Sequence, residues 1–246
     1  MCGRYVLKTS SREIARKFRL EMSRQLHEGL TPRYNIAPGA GVLAVWDDRD
    51  AGRRKADFFH WGLVPGWAKD VRIGYKMINA RSETASEKPA FRDALRYRRC
   101  LLPADGFYEW KGRGAEKIPY YFAWGAGELF AMAGLWEHWQ SPDGSEIFSC
   151  SVLTTPANEL MSPIHHRMPL ILHPRDYDLW LNPAISDLGR VNGLLASFPS
   201  GDIRCHRVSD AVNALRHEGP ELVAVAESGK PGDALDFFDQ LFPNGG

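Results

Sequence analysis

The stretch "RCLLPADGFYEWK", residues 99–111, indicates the fold class, because two apolar runs meet at one Asp-Gly step. Three similar stretches follow it, separated by a loop and by the turn-forming sequences GAG (125–127) and SPDG (141–144). Short runs rich in aromatic and β-branched residues, divided by such turns, are typical of antiparallel strands. The series therefore predicts an antiparallel meander or barrel built from residues 99–111, IPYYFAWG (118–125), LFAMAGLWEHW (129–139) and IFSCSVLTT (147–155).

Helices are predicted on both sides of this central sheet. The stretch SSREIARKF (10–18) has a serine cap and apolar residues at helical spacing, and TASEKPAFRDALRYR (84–98) predicts a second helix. No internal repeat or linker-like segment interrupts the chain. We therefore predict an α+β fold: a single domain over residues 1–225, around an antiparallel, barrel-like β-sheet with peripheral helices. Residues 226–246 are predicted to be a tail in which LDFFDQLF (235–242) is compatible with a short docked helix.

The composition excludes several classes of protein. Among 246 residues, 44% are hydrophobic and the formal net charge is +1, which indicates a folded protein without a global field for nucleic acid or membranes. The four cysteines form no CxxC pair, so neither a disulfide scaffold nor a zinc ribbon is expected. We expect no metal and no cofactor. With neither a membrane-spanning apolar run nor a signal-peptide pattern, we expect a cytoplasmic protein.

Cys2 is the first candidate for chemistry. Initiator methionine is generally removed before a small residue, and the α-amine of Cys2 would then stand beside its own thiol. With ordinary pKa values near 8 and 8.5, both groups would be partly nucleophilic near neutral pH. Attack on a carbonyl followed by ring closure would give a thiazolidine. The alternative is a buried structural cysteine at the start of a strand.

Three further places combine polar residues with apolar strands. Asn79 and Arg81 lie in INARSET (78–84), where they offer amide and guanidinium groups or, alternatively, cap a helix beginning near Thr84. Glu109 lies in an aromatic run, where burial would raise its pKa towards the range of a general acid or base, unless an arginine pairs with it. The two histidines of SPIHHRMPLIL (162–172) suit proton transfer or, alternatively, simple solvent exposure.

Six motifs, in this order, resemble the SOS response-associated peptidase (SRAP) family of abasic-site processing proteins. Each motif alone is weakly specific, but the ordered set covers the chain from Cys2 to about Val208. The motifs are MCGRY, YNIAPG, WGLVPGWAKD, NARSET, LLPADGFYEW and IHHRMPLIL.

The resemblance implies a reaction in which Cys2 captures the aldehyde of a ring-opened abasic deoxyribose as a covalent thiazolidine crosslink, after removal of Met1. It implies that Asn79 positions the N-terminus and the sugar, that Glu109 moves protons, and that His165 assists proton transfer and reversal. His166 departs from the family pattern, where an acidic residue is common, and leaves open which imidazole is catalytic.

The resemblance also implies a basic groove for single-stranded DNA containing abasic sites. Arg4, Arg81 and Arg167 match positions expected to hold phosphates, and Trp110 one expected to pack against a nucleotide. Phosphate contacts carry little base specificity, so binding should be nearly independent of sequence and should weaken with salt. Lyase side activity through the Schiff base is expected as well. We expect a monomer without a membrane partner, associated with the nucleoid when bound to DNA.

Two other functions use the same residues. In the first, Cys2 is the nucleophile of an N-terminal-nucleophile cysteine hydrolase or self-processing peptidase, with His165 or Glu109 as the base. In the second, the chain is a non-catalytic reader of single-stranded DNA, and Cys2 is structural. Turnover of an amide without DNA would favour the first, and equal binding of abasic and intact DNA without a covalent product would favour the second.

Overall fold

The structure is a computed structural model that describes residues 2–48, 52–112, 114, 117–141 and 143–226. It confirms the α+β class: two sheets dominate, and the helices are short and peripheral. The predicted tail helix at 235–242 lies outside the described residues. The strands are β1 (Tyr5–Leu7), β2 (Arg33–Ile36), β3 (Gly41–Asp48), β4 (Arg53–Trp61), β5 (Asn79–Arg81), β6 (Arg99–Ala104), β7 (Gly106–Lys111), β8 (Ile118–Trp124), β9 (Phe130–Gln140), β10 (Glu146–Pro156), β11 (Arg167–Pro169), β12 (Ile171–Leu172) and β13 (Ile203–Arg207).

The larger sheet closes into a barrel. Strands β4, β3, β6, β9 and β10 pair in that order, and β10 returns to pair with β4 in parallel, which completes a five-strand ring. Strands β9 and β10 extend beyond the ring, where β12 pairs with β9 and where β5 and β11 flank β10. The ring leaves few free edges and encloses a core of apolar side chains, including fully buried Leu101, Ala133 and Val152.

The smaller sheet has five antiparallel strands in the order β13, β8, β7, β1, β2. The chain passes from the barrel into this sheet at Asp105-Gly106, between β6 and β7, so the Asp-Gly step is not a hairpin turn of a meander. Gly106 is required there because a β-carbon would overlap the ring of Tyr121. Of the connections between β6 and β10, only those after β7 and β9 close hairpins: β7 pairs with β8, and β9 pairs with β10.

The α-helices are α1 (Ser11–Phe18), α2 (Arg24–Gly29), α3 (Arg92–Tyr97) and α4 (Tyr177–Leu181). Helix α1 matches its prediction and is capped by Ser10, whose hydroxyl accepts the Glu13 N–H. The helix predicted over 84–98 is reduced to α3, because Pro89 lacks an N–H and disfavours helical geometry at the residue before it. The 3₁₀ helices are Val71–Lys76, Pro174–Asp176, Leu188–Arg190, Asn192–Leu195, Ser200–Asp202, Asp210–Asn213 and Pro220–Val223.

Arg99, at the start of β6, fixes α3 and α4 against the barrel. Its buried guanidinium donates to the carbonyl oxygens of Leu95 and Arg96 at the end of α3, and to those of Trp180 and Asn182 around the end of α4. Carbonyl groups at helix ends lack partners within the helix, and one cation contacts all four; the Asn182 carbonyl also accepts the Ile185 N–H at 3.2 Å. In the described part of the chain, no helix has the length and apolar character needed to cross a membrane.

Candidate active site

The candidate site forms where the ends of the two sheets meet. From the smaller sheet, β1 pairs with β7 in the register Tyr5 to Phe107, and the Tyr108 N–H donates to the Arg4 carbonyl 3.0 Å away. Pairing in this direction carries the chain before Tyr5 alongside Glu109. From the barrel side, β5 and β11 both pair with the end of β10.

Asn79 joins the two sheets directly. Its Nδ2 donates to the carbonyl oxygen of Cys2 at 2.9 Å, while β5 places it opposite Val152 of β10. The helix-cap interpretation of Asn79 and Arg81 is wrong, since both lie in β5 and the next helix starts only at Arg92. The Oδ1 of Asn79 is buried and has no hydrogen-bond partner among the described residues. An acceptor of this kind suits an N–H of the chain start or of a ligand.

The Cys2 thiol does not have the ordinary pKa that the sequence suggested. The residue is fully buried, and this burial, reinforced by the negative charge of Glu109, raises the pKa of the thiol to about 12. A group with such a pKa is protonated at neutral pH. The thiolate is therefore scarce in this buried environment.

Glu109 is a buried carboxyl group on β7. Only 5% of its surface is exposed, and burial raises its pKa, against the opposing positive charge of Lys117, among others. Its Oε1 accepts the N–H of Trp110 at 3.3 Å. A carboxyl group with a raised pKa keeps its proton closer to neutral pH, which allows it both to give and to take protons there.

His165 and His166 directly precede β11. His165 Nδ1 lies 3.0 Å from the Arg167 backbone nitrogen, whose N–H it accepts in one tautomer, and 3.1 Å from the Arg167 carbonyl oxygen, to which it donates in the other. Either contact engages Nδ1, so proton exchange with a ligand falls to Nε2. Burial lowers the pKa of His165, which favours the neutral ring at pH 7. The exposed ring of His166 stacks on His165 with centroids 4.4 Å apart. Of the two, His165 is the imidazole held in a fixed orientation.

Glu109, His165 and His166 line an open cleft of about 690 Å³. Cys2 is buried and does not line it, but Asn79, which contacts Cys2, follows the lining residue Ile78, and Glu109 lies on the wall. Within the described parts of the chain, no group of three or more His, Cys, Asp or Glu side chains is arranged to hold a metal ion. The cleft is lined by Ile78, Glu109, Trp110, Gly112, Lys117, Ser162, Ile164, His165 and His166.

Arg81 is the one exposed member of the three arginines expected to hold phosphates. It ends β5, two residues after Asn79. The pKa of His166 is lowered mainly by the neighbouring His165, and Arg81 adds to this effect, which places its charge beside the cleft. Arg81 is therefore placed to meet an anion that enters from solvent.

Arg167, the second arginine expected to hold a phosphate, is turned inward. It is 7% exposed, and its guanidinium forms a two-pronged ion pair with Glu83, with Nη2 2.9 Å from Oε2. The same Nη2 donates to the Thr154 carbonyl oxygen at 2.6 Å. Both Nη groups are thus engaged by internal acceptors, while Nε is buried without a hydrogen-bond partner among the described residues. These contacts hold β11 and the 82–84 turn onto β10.

Arg4 is also engaged internally. Its Nη1 donates to Asn35 Oδ1 at 2.6 Å and to the Val212 carbonyl oxygen at 2.7 Å, and burial lowers its pKa. Its guanidinium lies 5.7 Å from the ring centroid of Trp110, a cation–π distance. Arg4 thus supports the partly buried Trp110 ring, and a phosphate would have to compete with two protein acceptors for its donors.

Two exposed aromatic residues outside the cleft lining have no role in the sequence-based prediction. Trp67 is 61% exposed and Tyr75 70% exposed, in the segment that links β4 to β5. The close approach of Gly62 and Gly74 pins this segment, because a β-carbon on either residue would meet the other's carbonyl oxygen. The available signal was the presence of aromatic residues among lysines in WGLVPGWAKDVRIGYK (61–76), a pattern typical of single-strand binding surfaces.

Comparison with known proteins gives consistent results. Residues 1–215 match the family described as SOS response associated peptidase (SRAP). The chain is 42% identical over 225 residues to the abasic site processing protein YoqW of Bacillus subtilis, covering 91% of this chain and 99% of that protein. It is 32% identical over 269 residues to the abasic site processing protein HMCES of Gallus gallus, covering 94% and 80% respectively.

Solved structures also share the fold. A protein from Bacteroides thetaiotaomicron superposes with a TM-score of 0.82 at 26% identity, covering 92% of this chain and all of that one. A protein from Bordetella bronchiseptica gives a TM-score of 0.69 at 25% identity, covering 85% of this chain and all of that one. The barrel and the smaller sheet are therefore an arrangement already seen in crystals.

Proposed function

Since the chain belongs to the SOS response associated peptidase (SRAP) family, we propose that it processes abasic sites in DNA, like the relatives named for that activity. More specifically, it captures the ring-opened abasic sugar as a covalent thiazolidine crosslink through Cys2, once Met1 has been removed. The observation that carries this proposal is the hydrogen bond from Asn79, on the barrel side, to the Cys2 carbonyl oxygen, beside a cleft whose lining includes Glu109 and His165.

The amine of Cys2, freed by removal of Met1, attacks first, because the sulfur closes the ring by adding to the Schiff base that the amine forms. Its nitrogen lone pair forms a bond to C1 of the open-chain sugar aldehyde, and the carbinolamine then loses water to give a Schiff base. The Cys2 sulfur next adds to C1, and its proton ends on the nitrogen, which closes a five-membered ring. The overall reaction joins protein and sugar with the loss of one water molecule.

Asn79 orients the amine of Cys2, and Glu109 transfers the protons that the reaction moves. Asn79 holds the Cys2 carbonyl through Nδ2, and its buried Oδ1 accepts an N–H from the amine, which orients the lone pair towards the cleft. Glu109 in its acid form protonates the departing hydroxyl of the carbinolamine. As a carboxylate it then takes the proton from the thiol, whose pKa is otherwise too high for attack.

His165 acts on the sugar side of the cleft. With Nδ1 held by the backbone of Arg167, the Nε2 of the neutral ring exchanges a proton with the O4 oxygen during ring opening. The same group returns a proton when the thiazolidine reopens. His165 therefore sets the rates of both capture and release.

The raised thiol pKa weighs against the cysteine hydrolase and self-processing peptidase. Such an enzyme needs a thiolate at neutral pH, and cysteine nucleophiles normally have a pKa lowered by neighbouring positive charge. Here burial and Glu109 act in the opposite direction. A covalent product in the gel experiment described below would exclude the non-catalytic reader.

Exposed aromatic and basic side chains favour single-stranded DNA as the substrate. Exposed rings at Trp67 and Tyr75 can stack on unpaired bases, and the exposed Arg81 can contact a phosphate. In a duplex, the sugar carbon would be less accessible to a cysteine that is buried beside a cleft. The proposed substrate is therefore a single strand containing an abasic site.

The proposal is tested by incubating the protein with a single-stranded oligonucleotide that carries one abasic site, followed by a denaturing gel. An oligonucleotide with a tetrahydrofuran residue, which has no aldehyde, is the matched control. We expect a slower band with the abasic strand only. Absence of the band, from protein shown by mass to lack Met1, would refute covalent capture.

Replacement of Arg81 by alanine should weaken binding of single-stranded DNA without destabilising the fold. The loss of one phosphate contact should reduce the slope of log K against log salt by about 0.7. Arg53→Ala is the control. Arg53 is also exposed, but it lies at the start of β4, roughly 26 Å along the strand from Trp61 at its other end, which pairs with β10. Equal salt slopes for Arg81→Ala and Arg53→Ala would remove Arg81 from the DNA site.

A further inference from the structure

A segment that follows β13 packs across the smaller sheet. We call residues Ser209–Ala226 the strap; it contains the 3₁₀ helices Asp210–Asn213 and Pro220–Val223. Val212 and Leu222 of the strap are fully buried in a second apolar cluster, together with Val6 and Tyr108 of β1 and β7. The strap is thus packed onto the two strands that lead to Cys2 and Glu109.

Two side chains fasten the strap to β2. Asn35, which is buried, donates through Nδ2 to the carbonyl oxygens of Val212, Ala214 and His217 at 3.0–3.3 Å. Glu218 Oε1 accepts the backbone N–H groups of Tyr34 and Asn35, the latter at 2.9 Å. These bonds satisfy polar groups at the edge of the smaller sheet and fix the position of the strap.

Two hydrogen bonds join the strap to Trp110, which lines the cleft, and to its neighbour Arg4. The Val212 carbonyl oxygen accepts Arg4 Nη1 at 2.7 Å, and Asn213 Oδ1 accepts the indole Nε1–H of Trp110 at 2.8 Å. Trp110 is therefore held at its edge by Asn213 and over its face by the Arg4 guanidinium. Both partners of the ring depend on the strap.

We propose that Asn213 is a positioning residue for DNA binding, and that it acts by fixing the orientation of the Trp110 ring. This proposal rests on the proposed function, because it takes Trp110 to be a contact for the nucleotide. A ring already held in its binding orientation loses less side-chain freedom when a base or sugar packs against it. Asn213 itself is exposed and is not among the residues that line the cleft.

The first test measures equilibrium binding of a single strand with a tetrahydrofuran residue, which cannot react. Asn213→Ala should weaken binding about two- to tenfold, the range expected for loss of one neutral hydrogen bond. Asn192→Ala, at an exposed asparagine in another 3₁₀ helix, is the control and should bind as the wild type does. Unchanged binding by Asn213→Ala would overturn the proposal.

A double-mutant cycle separates positioning from general stability. Trp110→Phe keeps an aromatic ring but removes the indole N–H, so Asn213→Ala should have no further effect in that background. In spectra of protein labelled with ¹⁵N at the indole nitrogens, Asn213→Ala should shift the peak that Trp110→Phe removes. An additive cycle, or an unmoved peak, would contradict a role through Trp110.

This failure can be told apart from failure of the proposed function. If the wild-type protein forms the covalent band and Trp110→Ala weakens binding while Asn213→Ala does not, only the positioning role is wrong. If no covalent band forms with trimmed protein, covalent capture is wrong whatever Asn213 does.

Discussion

Replacing Cys2 by alanine should abolish the denaturation-resistant adduct with abasic DNA. Alanine is also small, so Met1 should still be removed and the variant should keep a free amine. It can form a Schiff base but cannot close the thiazolidine ring. Because the amine attacks first, treatment with borohydride should still trap a covalent product with Cys2→Ala, whereas without the reductant the gel should show none.

The control for Cys2→Ala is Cys205→Ala. Cys205 is partly exposed on β13, far along the chain from the site residues, and its removal should leave the adduct unchanged. A stable adduct formed by Cys2→Ala without reductant would contradict the thiazolidine. Loss of the borohydride-trapped product in the same variant would contradict attack by the amine before the thiol.

Replacing Glu109 by glutamine should slow adduct formation by about 10²- to 10⁴-fold, the usual contribution of a positioned acid or base. Glutamine has the same shape and can neither donate a proton as an acid nor accept one from the thiol. The rate is measured in single-turnover experiments at saturating DNA. Glu128→Gln, at an exposed carboxylate in the loop after β8, is the control and should retain the wild-type rate.

The pH profile gives Glu109 a second signature. Burial raises its pKa, so the acid form persists to higher pH than for an ordinary glutamate and is lost as pH rises through the raised value. The wild-type rate should therefore fall on the alkaline side of that pKa, opposing the gain from deprotonation of the amine. In Glu109→Gln this falling limb should disappear. A profile of the same shape in both proteins would assign the proton transfer to another group.

The sequence was sufficient to predict the fold class but not the division of strands between sheets. Short runs of aromatic and β-branched residues, divided by turns, predicted β6 to β10 correctly as strands, because this pattern is local in sequence. Their division between the barrel and the smaller sheet depends on contacts such as Gly106 against the Tyr121 ring, which involve residues distant in sequence. The helix at 84–98 failed for a local reason, since Pro89 outweighs the periodicity around it.

The candidate residues could be named from sequence, but their contacts could not. The hydrogen bond between Asn79 and Cys2 joins residues 77 positions apart, which meet because β5 pairs with β10 in one sheet and β1 pairs with β7 in the other. The pKa of about 12 for the Cys2 thiol likewise depends on burial, which the sequence does not specify at a single position.

The positions of the arginine side chains, exposed or bound inside the fold, were the least predictable part of the site. Arg81 and Arg167 have the same chemistry, but Glu83 and Thr154 bind Arg167 inside the fold while Arg81 remains exposed. The choice depends on which acceptors the folded chain brings within reach, and these lie on other strands and turns. The same reason turned Arg4 towards Asn35 and Val212.

The central claim is that both reactive groups of Cys2 bond to the sugar, and counting thiols in the adduct tests it most directly. The protein has four cysteines, so alkylation of the denatured free protein with iodoacetamide should add four groups, as measured by intact mass. The adduct should have the mass of Met1-trimmed protein plus oligonucleotide less one water, and should take up only three groups. An adduct that takes up four would be a Schiff base or a link at another residue, and would contradict the thiazolidine.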